Sequence, residues 1–130
     1  MTKYVLGFMF DEKMNNIILI KKTHPKWQAG LWNGVGGRIE FDELSIQAMS
    51  REFKEETGKR PDPSKWKFVL TMHFYDCDVD VYAMNNDYGY AHAETKTDEI
   101  VRGYSVNMLP DTIENVPALI TLCKQRMGQI

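Results

Sequence analysis

The chain has 130 residues, 43% of them hydrophobic and 26% charged. That composition suits one compact domain over residues 1–130, burying about two-thirds of its extended surface, with no room for a second. Sixteen Lys and Arg against eighteen Asp and Glu leave a net charge of −2, which excludes the basic field needed to hold duplex DNA. The longest apolar runs fall far short of the ~18 residues of a membrane span, and the first residues lack the features of a secretion signal. The expectation is therefore a cytoplasmic protein, monomer or homodimer, with reduced thiols at Cys77 and Cys123.

In chain order, Tyr4–Phe10 and Ile17–Lys22 read as a β-hairpin around the turn Asp11–Asn16. Thr23 to Gly34 reads as loop, punctuated by Pro25, Gly30 and Gly34, and a short extended piece follows at Gly37–Phe41. A helix is expected from about Leu44 to Thr57, with Asp42 or Ser45 as N-cap and Gly58 closing it. Pro61 and Pro63 forbid its continuation. Strands are expected at Lys65–Tyr75, Asp78–Met84 and Ile100–Val106, with the polar stretch Asn85–Asp98 irregular. Glu114–Arg126 reads as a closing helix with Leu119, Ile120, Leu122 and Cys123 inward. The order β-β-β-α-β-β-β-α defines an α+β layered domain rather than a doubly wound one, and no phosphate-binding GxxxxGK[ST] loop is present.

The helix carries Glu52, Glu55 and Glu56 at spacing i, i+3 and i+4, so the three side chains share one stripe opposite the apolar Ile46, Met49 and Phe53. Like charges at these spacings cost an isolated helix roughly 0.2–0.5 kcal/mol per pair. A hard divalent cation would turn that repulsion into coordination, because Mg²⁺ takes oxygen ligands. A solvated acidic face relieved by Arg51, Lys54 and Lys59 is the plain alternative. Gly34, Gly36 and Gly37, just ahead of the helix, tip the balance toward a ligand site, since a backbone without Cβ atoms approaches a ligand closely.

Gly37, five residues to Glu43, seven more to Arg51-Glu52-Phe53-Lys54-Glu55-Glu56-Thr57-Gly58: this pattern resembles the Nudix box, GX5EX7REUXEEXGU, at eight specified positions. Only the last position departs, with Lys59 where an apolar residue is usual. The resemblance covers essentially the whole chain and implies an α/β/α sandwich with a mixed central β-sheet. It implies an enzyme that cleaves a phosphoanhydride bond with Mg²⁺ or Mn²⁺ and water. By the same resemblance Glu52, Glu55 and Glu56 would hold the metal with the Gly36 carbonyl, Arg51 and Glu43 would position the carboxylates, and Gly37 would shape the approach. Glu99, just before the last strand, would be a further catalytic and metal-binding carboxylate, with Glu94 as competitor.

Gly30-Leu31-Trp32-Asn33-Gly34-Val35-Gly36-Gly37 resembles the stretch of oxidised-purine nucleoside triphosphatases in which the Asn reads the base, and Asn115 resembles a second base-reading Asn of MutT-like members. An amide offers both donor and acceptor to a purine edge. Asn33 as a turn residue and Asn115 as a helix cap are the ordinary readings beside these. Lys22 is placed to meet phosphate or stands as a surface lysine. Trp27, Trp32, Tyr82 and Tyr104 either stack a base or serve the core; His24, His73 and His92 form no recognisable ligand spacing. The implied function is a Mg²⁺-dependent nucleoside triphosphate pyrophosphohydrolase of MutT type, yielding monophosphate and pyrophosphate, with oxidised guanine nucleotides such as 8-oxo-dGTP as candidate substrates. The alternatives are hydrolysis of a dinucleoside polyphosphate, nucleotide sugar or capped RNA, or nucleotide binding without catalysis.

Overall fold

The computed structural model describes residues 1–129. Seven strands form one mixed sheet: β1 (Thr2–Phe10), β2 (Asn16–Lys21), β3 (Trp32–Asn33), β4 (Val35–Arg38), β5 (Lys67–His73), β6 (Cys77–Asn85) and β7 (Val101–Ser105). Three helices, α1 (Ser45–Thr57), α2 (Asp87–His92) and α3 (Val116–Arg126), complete the α+β sandwich.

The central strand β1 runs parallel to β6 over its whole length, from Thr2↔Cys77 to Phe10↔Asn85, and every other pairing between these seven strands is antiparallel. Its other edge is shared. β2 joins it at Phe10↔Ile17, and β4 takes over from Gly7 back to Tyr4. β2 meets β3 at Ile20 and Lys21 and lies along β7 from Asn16 to Ile20. The sequence segment 32–38 thus enters between the two arms of the first hairpin.

Strands buried on both faces need apolar residues at consecutive positions, which explains the unbroken runs in β1 and β2. Leu6, Phe8, Phe10, Ile17 and Leu19 pack toward α3 with Leu119, Ile120 and Cys123. Val5, Met9, Ile18 and Ile20 pack toward α1 with Met49, Phe53 and Trp66. Ile46 is only partly buried at the edge of that second cluster.

Four expectations are corrected. The piece placed at Gly37–Phe41 is a strand only to Arg38, preceded by the two-residue β3 inside the supposed loop. The stretch Asn85–Asp98 contains α2, capped by the Asn86 side chain accepting from the Gly89 amide at 2.7 Å. Neither Asp42 nor Ser45 caps α1. Leu44 holds the N-cap position with its amide donating to the Gln47 side chain at 3.2 Å, while Asp42 takes a positive φ of 62° and the Ser45 hydroxyl turns to Asp80. Leu122 is 38% exposed, because at 100° per residue it falls off the stripe formed by Val116, Leu119, Ile120 and Cys123. Gly58 does close α1, at φ +80°, with its amide donating to the Lys54 carbonyl.

Candidate active site

The N-terminus of α1 is fastened to the sheet by hydroxyls. Ser45 donates to one Asp80 oxygen at 2.6 Å, Thr71 of β5 donates to the other at 2.7 Å, and Tyr82 donates to Ser45 at 2.8 Å. Further along, Met49 and Phe53 are fully buried on the sheet, which turns the glutamate stripe to the flank.

Arg51 gathers that flank. Its Nε and Nη2 make a fork on Glu43 at 2.7 and 3.0 Å, its Nη1 donates to Glu52 at 2.8 Å and Glu55 at 3.2 Å, and Nη2 also reaches the Arg38 carbonyl at 2.9 Å. These donors hold the Glu43 carboxyl below the usual carboxylate range, and the Glu43 bonds foremost push the Arg51 guanidinium further up. Gly37 explains itself here. A Cβ on it would lie 2.5 Å from the Glu52 carboxylate oxygens, so β4 and α1 meet this closely only because position 37 has no side chain. Gly36 is equally constrained from beneath, where a Cβ would run into the Val5 carbonyl of β1.

Glu56, one turn after Glu52, faces the segment before β7. Its carboxylate accepts the Thr97 hydroxyl at 3.0 Å. Glu99 is 2% exposed yet fully partnered: the Lys22 ammonium lies at 3.1 Å, the Thr23 amide at 2.6 Å and the Thr23 hydroxyl at 3.2 Å. Burial pushes the carboxyls of Glu52 and Glu56 upward, and the neighbouring glutamates add to the shift. Burial also acts to raise Glu99, but the Thr23 amide and Lys22 outweigh it and hold its carboxyl low.

The structure therefore brings Glu43, Arg51, Glu52, Glu55, Glu56, Glu99 and Lys22 to one flank of α1. Lys22 rests on Glu99 rather than standing free. Glu94, the competitor to Glu99, is exposed and paired with Lys96 at 3.3 Å. Asn33 accepts the next residue's amide, that of Gly34, at 2.8 Å, as a turn residue does, leaving its Nδ2 free of that bond. Asn115 stands at the start of α3 without capping it, and its Nδ2 touches the Met72 sulfur at 3.5 Å. The two asparagines flank one junction, where the Ile113 amide donates to the Trp32 carbonyl at 2.9 Å. Trp32 and Tyr82 are core residues, and Tyr104 packs edge-on against Trp32 at 5.0 Å. His73 pairs with Asp78 and His92 stacks on Tyr88, while His24 lies 3.7 Å from Glu99. Thr23 and Thr97 were invisible to the motif: one acts largely through its backbone, and the other through a hydroxyl far from the helix in sequence.

Among the described residues, no three acidic, His or Cys side chains converge into a ready-made cation cage. Each inward carboxylate is instead turned to a protein donor: Glu52 to Arg51, Glu56 to Thr97, Glu99 to Lys22 and Thr23. The donor set nevertheless fits a hard divalent cation, being all oxygen, partly desolvated and mutually repelling. Mg²⁺ keeps several waters and needs only one or two carboxylates directly.

A mixed sheet between helices, with Gly37, Glu43, Arg51 and the three glutamates knit on one helix flank, matches the NUDIX domain over residues 2–117, and the chain belongs to that family. Among curated proteins, a CTP pyrophosphohydrolase of Escherichia coli (strain K12) is 43% identical over 47 residues, 36% of this chain and 35% of that protein. An 8-oxo-dGTP diphosphatase of Proteus vulgaris is 29% identical over 55 residues, 42% of this chain and 49% of the relative. The matched stretches thus span between a third and a half of those relatives' lengths. A solved structure from work on MutT of Aliivibrio salmonicida and Vibrio cholerae shares the fold at a TM-score of 0.75 with 21% identity, covering 95% of this chain and 98% of its own.

Proposed function

We propose that the protein is a divalent-metal-dependent nucleoside triphosphate pyrophosphohydrolase, cleaving the triphosphate to monophosphate and pyrophosphate. The observation that carries this reading is the crowding of Glu52, Glu55, Glu56 and Glu99 around a flank whose one guanidinium is already fully engaged. Glu52, Glu55 and Glu56 would hold Mg²⁺ or Mn²⁺ with the Gly36 carbonyl and, from across the gap, Glu99. When bound, the metal supplies charge neutralisation at the diphosphate and a lowered pKa for water. Arg51 and Glu43 keep the helix carboxylates aligned, and Gly37 leaves room for Glu52. Lys22, whose ammonium lies 3.1 Å from Glu99, is assigned to the substrate phosphates, moving from Glu99 to do so.

Glu52, Glu55 and Glu56 would share the metal between them, so no single one is assigned as the base. Asn33 and Asn115 are assigned to the base edge, which favours a purine such as an oxidised guanine. The names of the two curated relatives support a triphosphate, one a CTP and the other an 8-oxo-dGTP enzyme. No helix among the described residues is long and apolar enough to cross a membrane; placement in the cytoplasm belongs to this proposal, supported by two unpaired thiols.

The test is pyrophosphate release from a panel of nucleoside triphosphates, including CTP, dGTP and 8-oxo-dGTP, with Mg²⁺ and with EDTA. Turnover of one triphosphate, abolished by EDTA and cut at least about a hundredfold in Glu56→Gln, is expected. Faster release of products from ADP-ribose, a diadenosine polyphosphate or capped RNA would overturn the substrate class.

A further inference from the structure

The segment between α2 and β7 is docked on the last turn of α1 at three points. The Glu94 amide donates to the Thr57 carbonyl at 3.0 Å, satisfying a carbonyl at the helix end. The Lys96 side chain lies over Gly58, where a Cβ would meet its methylenes at 2.6 Å. The third point is Thr97, whose hydroxyl donates to Glu56 at 3.0 Å and whose oxygen accepts the Glu99 amide at 3.1 Å.

A hydroxyl carries one proton and two lone pairs. With the Glu99 N–H directed at the Thr97 oxygen, the proton of that oxygen is left for Glu56. One oxygen atom thus measures the separation between a carboxylate on the helix and the backbone of another carboxylate's residue. Glu99 is fixed from its far side by Lys22 and Thr23, whereas Thr97 is the one hydrogen-bond partner found for the Glu56 carboxylate among the described residues. Thr97 is itself exposed, so packing does not account for it.

We propose that Thr97 is a positioning residue of the carboxylate site, setting Glu56 at a fixed distance from Glu99 so that both present oxygens to the same cation. This rests on the metal-dependent reading above and adds a residue outside the family motif. Two variants separate the hydroxyl from the rest of the side chain. Thr97→Val keeps the shape and removes the hydroxyl; Thr97→Ser keeps the hydroxyl and removes a methyl group.

Mn²⁺ binding to the full chain without nucleotide, followed by electron paramagnetic resonance, is the primary readout. Beside it stand kcat and KM for the best triphosphate and the thermal midpoint. Thr97→Val is expected to weaken Mn²⁺ binding about tenfold and to lower kcat by a similar factor, with KM within about twofold. Thr97→Ser is expected to restore both to within about threefold of wild type. The proposal is overturned if Thr97→Val binds Mn²⁺ like wild type, or if Thr97→Ser is as defective as Thr97→Val. Should Thr97→Val fold poorly, Thr97→Ser against Thr97→Ala gives the same decision. A wild-type chain that binds Mn²⁺ but hydrolyses no nucleotide would sink the hydrolase reading while leaving the Mn²⁺ comparison decisive for Thr97.

Discussion

The two halves of the acidic flank are built on different principles. Around Arg51, one guanidinium ties together Glu43, Glu52, Glu55 and the Arg38 carbonyl, all within a short span of chain and with forked geometry. Around Glu56 and Glu99, no arginine takes part among the described residues; a threonine hydroxyl and a lysine bridge residues that are 41 and 77 apart in sequence. The first half is a clamp in which one guanidinium fixes its carboxylates in place, so that a cation reaching Glu52 or Glu55 meets oxygens already aligned. The second is made of single bonds, each of which a cation or a phosphate group can replace at small cost, and it is where bound ligand is expected to rearrange the protein.

If that contrast holds, Arg51→Ala has the largest effect. It leaves Glu43 and Glu52, 15% and 12% exposed, without their cation and is expected to lower stability by about 3 kcal/mol in urea unfolding. The loss depends on pH. Arg51 depresses the Glu43 pKa from its ordinary 4.5, so the stabilisation is fully present above that value and disappears as pH falls through the lower folded value. In EDTA, the gap between wild type and Arg51→Ala in urea unfolding should be widest near neutrality and should narrow as pH falls below the ordinary Glu43 value and through its lowered folded value.

Gly37→Ala comes next. The added methyl displaces the Glu52 carboxylate, with an expected loss of about 2 kcal/mol and about tenfold in Mn²⁺ affinity, read by calorimetry. Lys22→Met tests the other half: Glu99 keeps its Thr23 donors but loses its ion pair, for about 1.5 kcal/mol. A loss as large as that of Arg51→Ala would break the distinction between clamp and exchangeable contact. The smallest stability effect belongs to Glu55→Gln, within about 0.5 kcal/mol, since that side chain is 54% exposed. Its Mn²⁺ affinity should nonetheless fall about tenfold, which would separate metal binding from folding.

The same division governs what the sequence alone reveals. Helical spacing brings Arg51, Glu52 and Glu55 together without any knowledge of the fold, and Gly37 and Glu43 follow by proximity in the motif. Lys22 and Thr97 meet their partners only after the sheet closes, so no local signal marks Thr97, and Lys22 is indistinguishable from a surface lysine. In the fold, the long apolar runs of β1 and β2 were readable, whereas β3 has two residues and α2 has six with a glycine inside, below the length at which a period shows. Ser45 looked like a cap because its chemistry suits one. Its hydroxyl is engaged by Asp80, a residue that sequence spacing does not bring near it.

The entry of β3 and β4 between the arms of the first hairpin bears on how the chain reaches this state. Beyond Phe10↔Ile17, β1 and β2 have little of each other to zip, so the turn at Asp11–Asn16 cannot nucleate a ladder alone. The other edge of β1 waits for Cys77–Asn85, on the far side of α1 and β5. Nearly every contact of the central strand therefore closes a long loop, and the assembly rate of this small domain should resemble that of slow, topologically non-local proteins rather than of helical bundles of equal size.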